Sequence, residues 1–210
     1  MAESPLIHVV DDDASVRDSL ALLLESAGFQ VRAYDSAVQF LAAASPGGVG
    51  CVLTDVQMPE LNGLELQQRM GSLGIRLPVI VMTGHADVPI AVQALKAGAA
   101  DFLEKPFDDD QLLSAVQRAT AASQRARDEA TAVADIAARL ATLTPREREV
   151  LDRLVAGQPN KTIAYDLGIS PRTIEIYRAN VMTKMEAQSL SELIRMAITA
   201  GAIMPASKNI

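Results

Sequence analysis

Five short apolar runs alternate with segments of helical period between residues 6 and 107: Leu6–Val10, Gln30–Tyr34, Cys51–Val56, Leu77–Thr83 and Ala100–Glu104. Runs of this length suit strands, and strands that take turns with helices pair in parallel, because each crossover helix carries the chain back to the same edge of the sheet. The pattern predicts an α/β doubly wound, five-stranded parallel sheet. In such sheets ligands bind outside the carboxyl ends of the strands, so the residues that end each run carry the functional information. Asp11, Asp12 and Asp13 end the first run, Asp55 the third and Thr83 the fourth, and the fifth leads into Lys105 and Pro106.

Several carboxylates on one edge repel one another, and a hard divalent cation with oxygen ligands resolves that repulsion; magnesium, or manganese in its place, is the expected cofactor. A carboxylate such as Asp55 can attack phosphorus and form an acyl phosphate if positive charge surrounds the equatorial oxygens, and the metal with Lys105 would supply it. The Thr83 hydroxyl can donate to a phosphoryl oxygen. A cis Lys105–Pro106 bond would aim the lysine into the pocket. Asp13, before Ala14 and Ser15, suits a helix N-cap rather than the pocket.

Beyond Asp108 strand signals stop. A helix-favouring stretch rich in Ala, Arg and Gln runs from Gln111 to about Ala141, and from Thr144 onward the pattern is all helix, at about 145–156, 160–167, 171–185 and 189–200. The sequence leaves open whether 123–141 is a rigid rod or a loose tether. Net charge is −7 overall, yet residues 1–124 hold 16 acidic and 7 basic residues, whereas 125–210 hold 10 acidic and 12 basic. Halves of opposite sign suit different partners. The longest apolar stretches, such as Leu77–Met82, are too short to span a bilayer, and the amino terminus has no basic region followed by an apolar one. No membrane is implied, and with one cysteine, Cys51, in an apolar run, a reducing cytoplasm is the expected location.

Residues 6–122 resemble the receiver domain of two-component response regulators, through VVDDD at 9–13, LTDVQMPELNG at 53–63, VMTGH at 81–85 and FLEKPF at 102–107. The resemblance implies a flavodoxin-like fold over 1–122. It also implies that Asp55 is phosphorylated by a sensor histidine kinase, that Asp12, Asp55 and the Gln57 carbonyl hold magnesium with Asp11 helping through water, and that Thr83 and Phe102 form a switch pair. Such a chain is no conventional enzyme, although it catalyses its own phosphoryl transfer and dephosphorylation.

In the second half, Asn160–Leu167 and Pro171–Lys184 are joined by Gly168, Ile169 and Ser170, a helix-turn-helix signal. Ser170 and Pro171 suit the start of the second helix. Ile174, Val181 and Met185 would pack inward, leaving Arg172, Thr173, Glu175, Arg178, Ala179 and Lys184 for DNA. Residues 143–185, LTPREREVLDRLVAGQPNKTIAYDLGISPRTIEIYRANVMTKM, resemble the LuxR or NarL class of DNA-binding domain, which assigns 142–210 to that domain and 123–141 to a linker. The resemblance adds Asn160, Lys161, Thr162 and Ser170 to the DNA contacts, the first three at the start of the first motif helix. Glu175 stands where relatives often carry Lys, and Tyr177 where His is frequent.

With AGQPNK and ISPRTIE added, the whole is most similar to regulators of the FixJ type. That likeness implies a FixL-like, haem-containing, oxygen-sensing kinase, promoter DNA and RNA polymerase as partners, and activation of genes for nitrogen fixation or microaerobic respiration. A monomer would become a homodimer on phosphorylation through the face of the fourth helix and fifth strand, including Val88, Val92, Lys96 and Phe102. Two rivals fail on single positions. A phosphatase of the haloacid dehalogenase type needs an acid two residues after its nucleophile, where this chain has Gln57, and a flavin-phosphate module needs a Gly- and Ser-rich loop where this chain has Asp11–Asp13. DNA binding that ignores phosphorylation remains open.

Overall fold

The computed structural model describes residues 4–84 and 88–201. His85 of the VMTGH motif, the Val88 side chain and the outermost ends of the two domain ranges, 1–3 and 202–210, lie outside the described residues. The chain divides into two compact units, Met1–Asp128 and Glu129–Ile210.

In the first unit β1 (Leu6–Val10), β2 (Gln30–Tyr34), β3 (Gly50–Asp55), β4 (Val79–Thr83) and β5 (Asp101–Glu104) form one parallel sheet in the order β2-β1-β3-β4-β5. Between them run α1 (Ala14–Ser26), α2 (Ala37–Ala43), α3 (Gly63–Ser72) and α4 (Val88–Lys96), and α5 (Asp109–Ala141) follows. The central strands β1, β3 and β4 are buried and largely apolar because both of their faces are covered, with His8 and the strand-end residues Thr54, Asp55 and Thr83 as the polar exceptions. One face packs Val10, Val52, Val79 and Val81 against Phe40, Leu66 and Met70, and the other packs Ile7, Val9, Leu53 and Ile80 against Leu20, Leu24, Leu112 and Val116. Cys51 lies in the second layer, where burial pushes its thiol up to about 12 and leaves a small inert hydrophobe. Local chemistry sets the helix starts. Asp13 accepts from the Ser15 and Val16 amides, and Asn62 with Glu65 closes a capping box at α3.

The second unit holds the last turns of α5 and then α6 (Pro145–Val155), α7 (Asn160–Leu167), α8 (Pro171–Lys184) and α9 (Leu190–Thr199). Thr144 and Glu147 form the capping box of α6, Gly168 closes α7 in the left-handed region at φ 65°, and Ser170 caps α8 ahead of Pro171. Ile174, Val181 and Met185 are buried, as their spacing predicts. Leu140, at the end of α5, is buried in the same cluster as Leu151, Val181, Met185 and Leu193, with Ile136 packed against it. The core of this unit therefore begins ahead of residue 142.

A buried histidine gives the first unit a pH signature. His8 on β1 shares a 3.1 Å hydrogen bond with the Tyr34 hydroxyl and packs against Tyr34 and Phe40. Burial, aided by the charge of Arg32, lowers its pKa from 6.5 to about 4. Above pH 6.5 folded and unfolded chains both hold it neutral, and as the pH falls towards 4 only the unfolded chain takes up the proton. The wild-type chain should therefore lose about 3 kcal/mol more stability than His8→Gln over this window, measured as urea unfolding free energies at a series of pH values. Parallel pH profiles for the two chains would contradict this.

Candidate functional site

The carboxyl ends of the strands gather the acidic pocket. Asp11, one residue beyond β1, is 2% exposed, and Asp55, the last residue of β3, is also buried. Lys105, just after β5, extends its ammonium between them, with Nζ donating to Asp11 Oδ2 and to Asp55 Oδ1 at 2.8 Å each. The second oxygens are held as well: Asp55 Oδ2 accepts from the Gln57 amide at 2.6 Å, and Asp11 Oδ1 from the Asp13 amide at 3.0 Å. Burial pulls the lysine downward, but its hydrogen bonds to Asp11 and Asp55 and their charges outweigh that cost, so the net shift is upward and Lys105 is a fixed cation. The Lys105–Pro106 bond is cis.

The other residues read from the sequence are placed as follows. Thr83 ends β4 fully buried, and its carbonyl accepts from the Lys105 amide at 2.7 Å. Phe102, opposite Val81 on the neighbouring strand, is half-buried against the first core layer. Asp12 and Gln57 are exposed. The structure thus joins Asp11 and Asp55 through Lys105 rather than gathering them with Asp12 into a three-carboxylate cage, and no such cage occurs among the described residues. The donors at this edge, the carboxylates of Asp11, Asp12 and Asp55 and the Gln57 carbonyl, are all hard oxygens, and this set fits magnesium or manganese rather than a softer metal.

Two supports of the pocket had no role in the sequence reading. Arg17 on α1 donates from Nη1 to the Asp11 carbonyl at 2.7 Å and ties down the turn that presents the acids. Gly63, at the start of α3, lies so close to β3 that a Cβ there would meet the Asp55 carbonyl oxygen at 2.3 Å. The glycine of LTDVQMPELNG is therefore a packing requirement beneath the candidate nucleophile.

The helix-turn-helix is formed by α7 and α8. Lys161, Thr162, Ser170, Arg172, Glu175 and Ala179 are exposed, and Asn160, Thr173 and Arg178 are half-buried. Arg178 Nη1 reaches Asn160 Oδ1 at 3.5 Å and links the two helices, while the Ser170 and Thr173 hydroxyls share a 2.8 Å hydrogen bond. Lys184 makes contacts that its place on the helix does not foretell: its ammonium donates to Glu147 Oε2 at 2.6 Å and to the Thr142 carbonyl at 3.2 Å, both within the domain. Glu147 is 4% exposed and held below the usual carboxylate range, chiefly by Lys184 and then by the Thr144 amide. Ile176, which the sequence reading passed over, is 56% exposed on α8. A signal was available, since residues two apart on a helix point in nearly opposite directions and Ile174 already faces the core.

The profile of the response regulator receiver domain fits residues 7–117, and that of the bacterial regulatory proteins of the luxR family fits residues 141–197. The transcriptional regulatory protein FixJ of Azorhizobium caulinodans is 56% identical over 201 residues, 96% of this chain and 95% of the relative. The chain belongs to the FixJ-type response regulators. FixJ of Bradyrhizobium diazoefficiens is 54% identical over 93% of this regulator and 95% of its own length. Among solved structures, the response regulator StyR superposes with a TM-score of 0.85 at 37% identity, covering 93% of this regulator and 99% of StyR. Full-length FixJ from B. japonicum superposes with a TM-score of 0.58 at 52% identity, covering 97% of this chain and all of that one. The regulator therefore joins a receiver to a LuxR-type DNA-binding domain and is not an enzyme of the conventional kind. No helix among its described residues is long and apolar enough to cross a membrane.

Because Gly63 carries no Cβ only at the expense of chain entropy, its replacement reports how tightly α3 seats on β3. Gly63→Ala should destabilise the receiver by roughly 2 kcal/mol or more, as measured by urea unfolding. An unchanged midpoint would show that α3 can withdraw from Asp55.

Proposed function

We propose that a sensor histidine kinase phosphorylates Asp55 and that the acyl phosphate turns on sequence-specific DNA binding. The observation that carries this reading is the placement of Lys105 Nζ at 2.8 Å from both Asp11 and Asp55 at the strand ends. An Asp55 oxygen attacks phosphorus, the bond from phosphorus to the kinase imidazole breaks, and its electron pair returns to the ring. Lys105 offsets the charge on the transferred group, and the buried Thr83 hydroxyl donates to one phosphoryl oxygen. Asp12, Asp55 and the Gln57 carbonyl would hold magnesium, with Asp11 completing the set through water. The bound ion would neutralise phosphoryl oxygens. Phe102, half-buried at the neighbouring strand, follows Thr83 inward and reshapes the face of α4 and β5, a local electrostatic event read out by packing.

That face carries the exposed apolar side chains of Val92 and Leu95 beside Lys96, which suits pairing of two receivers and conversion of a monomer into a homodimer. Two reading helices then engage two half-sites, and the linked contacts multiply weak single-domain binding. On α8, Arg172 and Arg178 supply the cationic contacts, Glu175 can accept from a cytosine amino group, and Ala179 and the exposed Ile176 can meet thymine methyls. Asn160, Lys161 and Thr162 start α7 against the DNA backbone. The FixJ relationship supports a FixL-like, oxygen-sensing kinase, activation through RNA polymerase at promoter DNA, and target genes of nitrogen fixation or microaerobic respiration.

With magnesium and a small-molecule phosphoryl donor, the wild-type chain should dimerise and bind DNA more tightly, whereas Asp55→Asn should do neither, as followed by light scattering and DNA titration. Equal behaviour of both chains would remove Asp55 from control. Arg178→Ala should weaken DNA binding by about 1–3 kcal/mol while phosphoryl incorporation at Asp55 is retained. Undiminished affinity would exclude Arg178 from the reading surface.

A further inference from the structure

Both ends of α8 are tied down, and the ties at its carboxyl end belong to no function described so far. Lys184, the last residue of the helix, spans to the capping box of α6, donating to Glu147 Oε2 at 2.6 Å and to the Thr142 carbonyl at 3.2 Å. Arg139, in the last turn of α5, reaches back, its Nη1 donating to the Met185 carbonyl at 3.2 Å and its Nη2 pairing with Glu186 Oε2 at 2.9 Å. Met185 is the C-cap of α8, so this guanidinium satisfies a carbonyl that the helix itself leaves without a partner. Glu186 holds a left-handed backbone at φ 54°, unusual for a residue with a Cβ, and is anchored there by Arg139.

We infer that Arg139, Glu147 and Lys184 form a clasp that sets the angle of the reading helix, which makes them positioning residues for base recognition rather than DNA contacts. The inference rests on α8 being the DNA-reading helix. A helix of 14 residues is about 21 Å long, so a tilt of about 5° at the clasped end moves the amino-terminal end by about 2 Å. Arg172 and Glu175 lie towards that far end. A displacement of that size breaks directional hydrogen bonds to base edges, whereas attraction to phosphates, being long-ranged, largely survives it. Releasing the clasp should therefore cost sequence discrimination before general DNA affinity.

The test uses the full chain with magnesium and a phosphoryl donor, and two duplexes: one selected from a random-sequence pool by the wild-type protein, and the same duplex scrambled. Affinities are measured over a range of salt for wild type, Lys184→Met, Lys184→Arg, Glu147→Gln and Arg139→Gln. The last breaks the clasp without leaving a buried carboxylate unpaired, so the inference stays testable if Glu147→Gln or Lys184→Met fails to fold. The expected result is a loss of about tenfold in the ratio of selected to scrambled affinity for Arg139→Gln, and for each of the other two clasp-breaking variants that folds, with the salt slope unchanged and most of the ratio restored by Lys184→Arg. The clasp would be refuted in either of two ways. Lys184→Met could weaken both duplexes equally and lower the salt slope by about one, the mark of a phosphate contact. Alternatively, the folded variants could melt earlier yet keep the wild-type ratio, the mark of a purely structural tie. Failure of the wild-type chain to select any sequence would overturn the DNA reading of α8 and the clasp with it, a result separable from the other two.

Discussion

Two carboxylates at the ends of neighbouring strands repel unless a cation stands between them, and in this regulator Lys105 is that cation. Its equal 2.8 Å hydrogen bonds to Asp11 and Asp55 let β1 and β3 end side by side with buried acids. The rest of the receiver edge serves that arrangement. The Gln57 and Asp13 amides take the second oxygens, Arg17 holds the Asp11 carbonyl, and Gly63 allows α3 to close under Asp55. A buried carboxylate stripped of such partners costs several kcal/mol, so the same contacts that hold the candidate nucleophile also keep the sheet edge folded.

The DNA-binding unit solves a similar problem with different parts. Glu147 is a buried carboxylate produced by a capping box, and Lys184 compensates it from another helix. In the receiver the compensating lysine lies at the candidate pocket itself, whereas in the second unit it lies at the carboxyl end of α8, the second helix of the helix-turn-helix. Position in the fold, rather than residue type, separates the two roles.

The sheet was legible because the central parallel strands, covered on both faces, read as largely apolar runs, and the acids, threonine and lysine at the strand ends marked the pocket. The margins were not. The fourth apolar run begins at Leu77, yet Pro78 has no amide to give to the ladder and β4 starts at Val79. Helical spacing placed Ile174, Val181 and Met185 in the core but could not show that Lys184, polar and apparently outward, reaches a carboxylate 37 residues earlier in the chain. The capping box itself was readable in Thr144-x-x-Glu147; its long-range partner was not, because no local period encodes it. Arg17 was missed for a related reason, since a guanidinium that binds a backbone carbonyl leaves no pattern in neighbouring residues.

The burial of Leu140 among Leu151, Val181 and Leu193 places the last turn of α5 inside the DNA-binding core. A hybrid regulator joined at residue 142 would transplant a domain lacking one of its own core side chains and the Arg139 that fills its helix end. Recombination between regulators of this type, natural or engineered, should succeed only where the junction falls upstream of Ile136, so that the incoming reader brings its own final turns of α5. The hydrophobic cluster, and not the end of the helix, defines the unit of exchange.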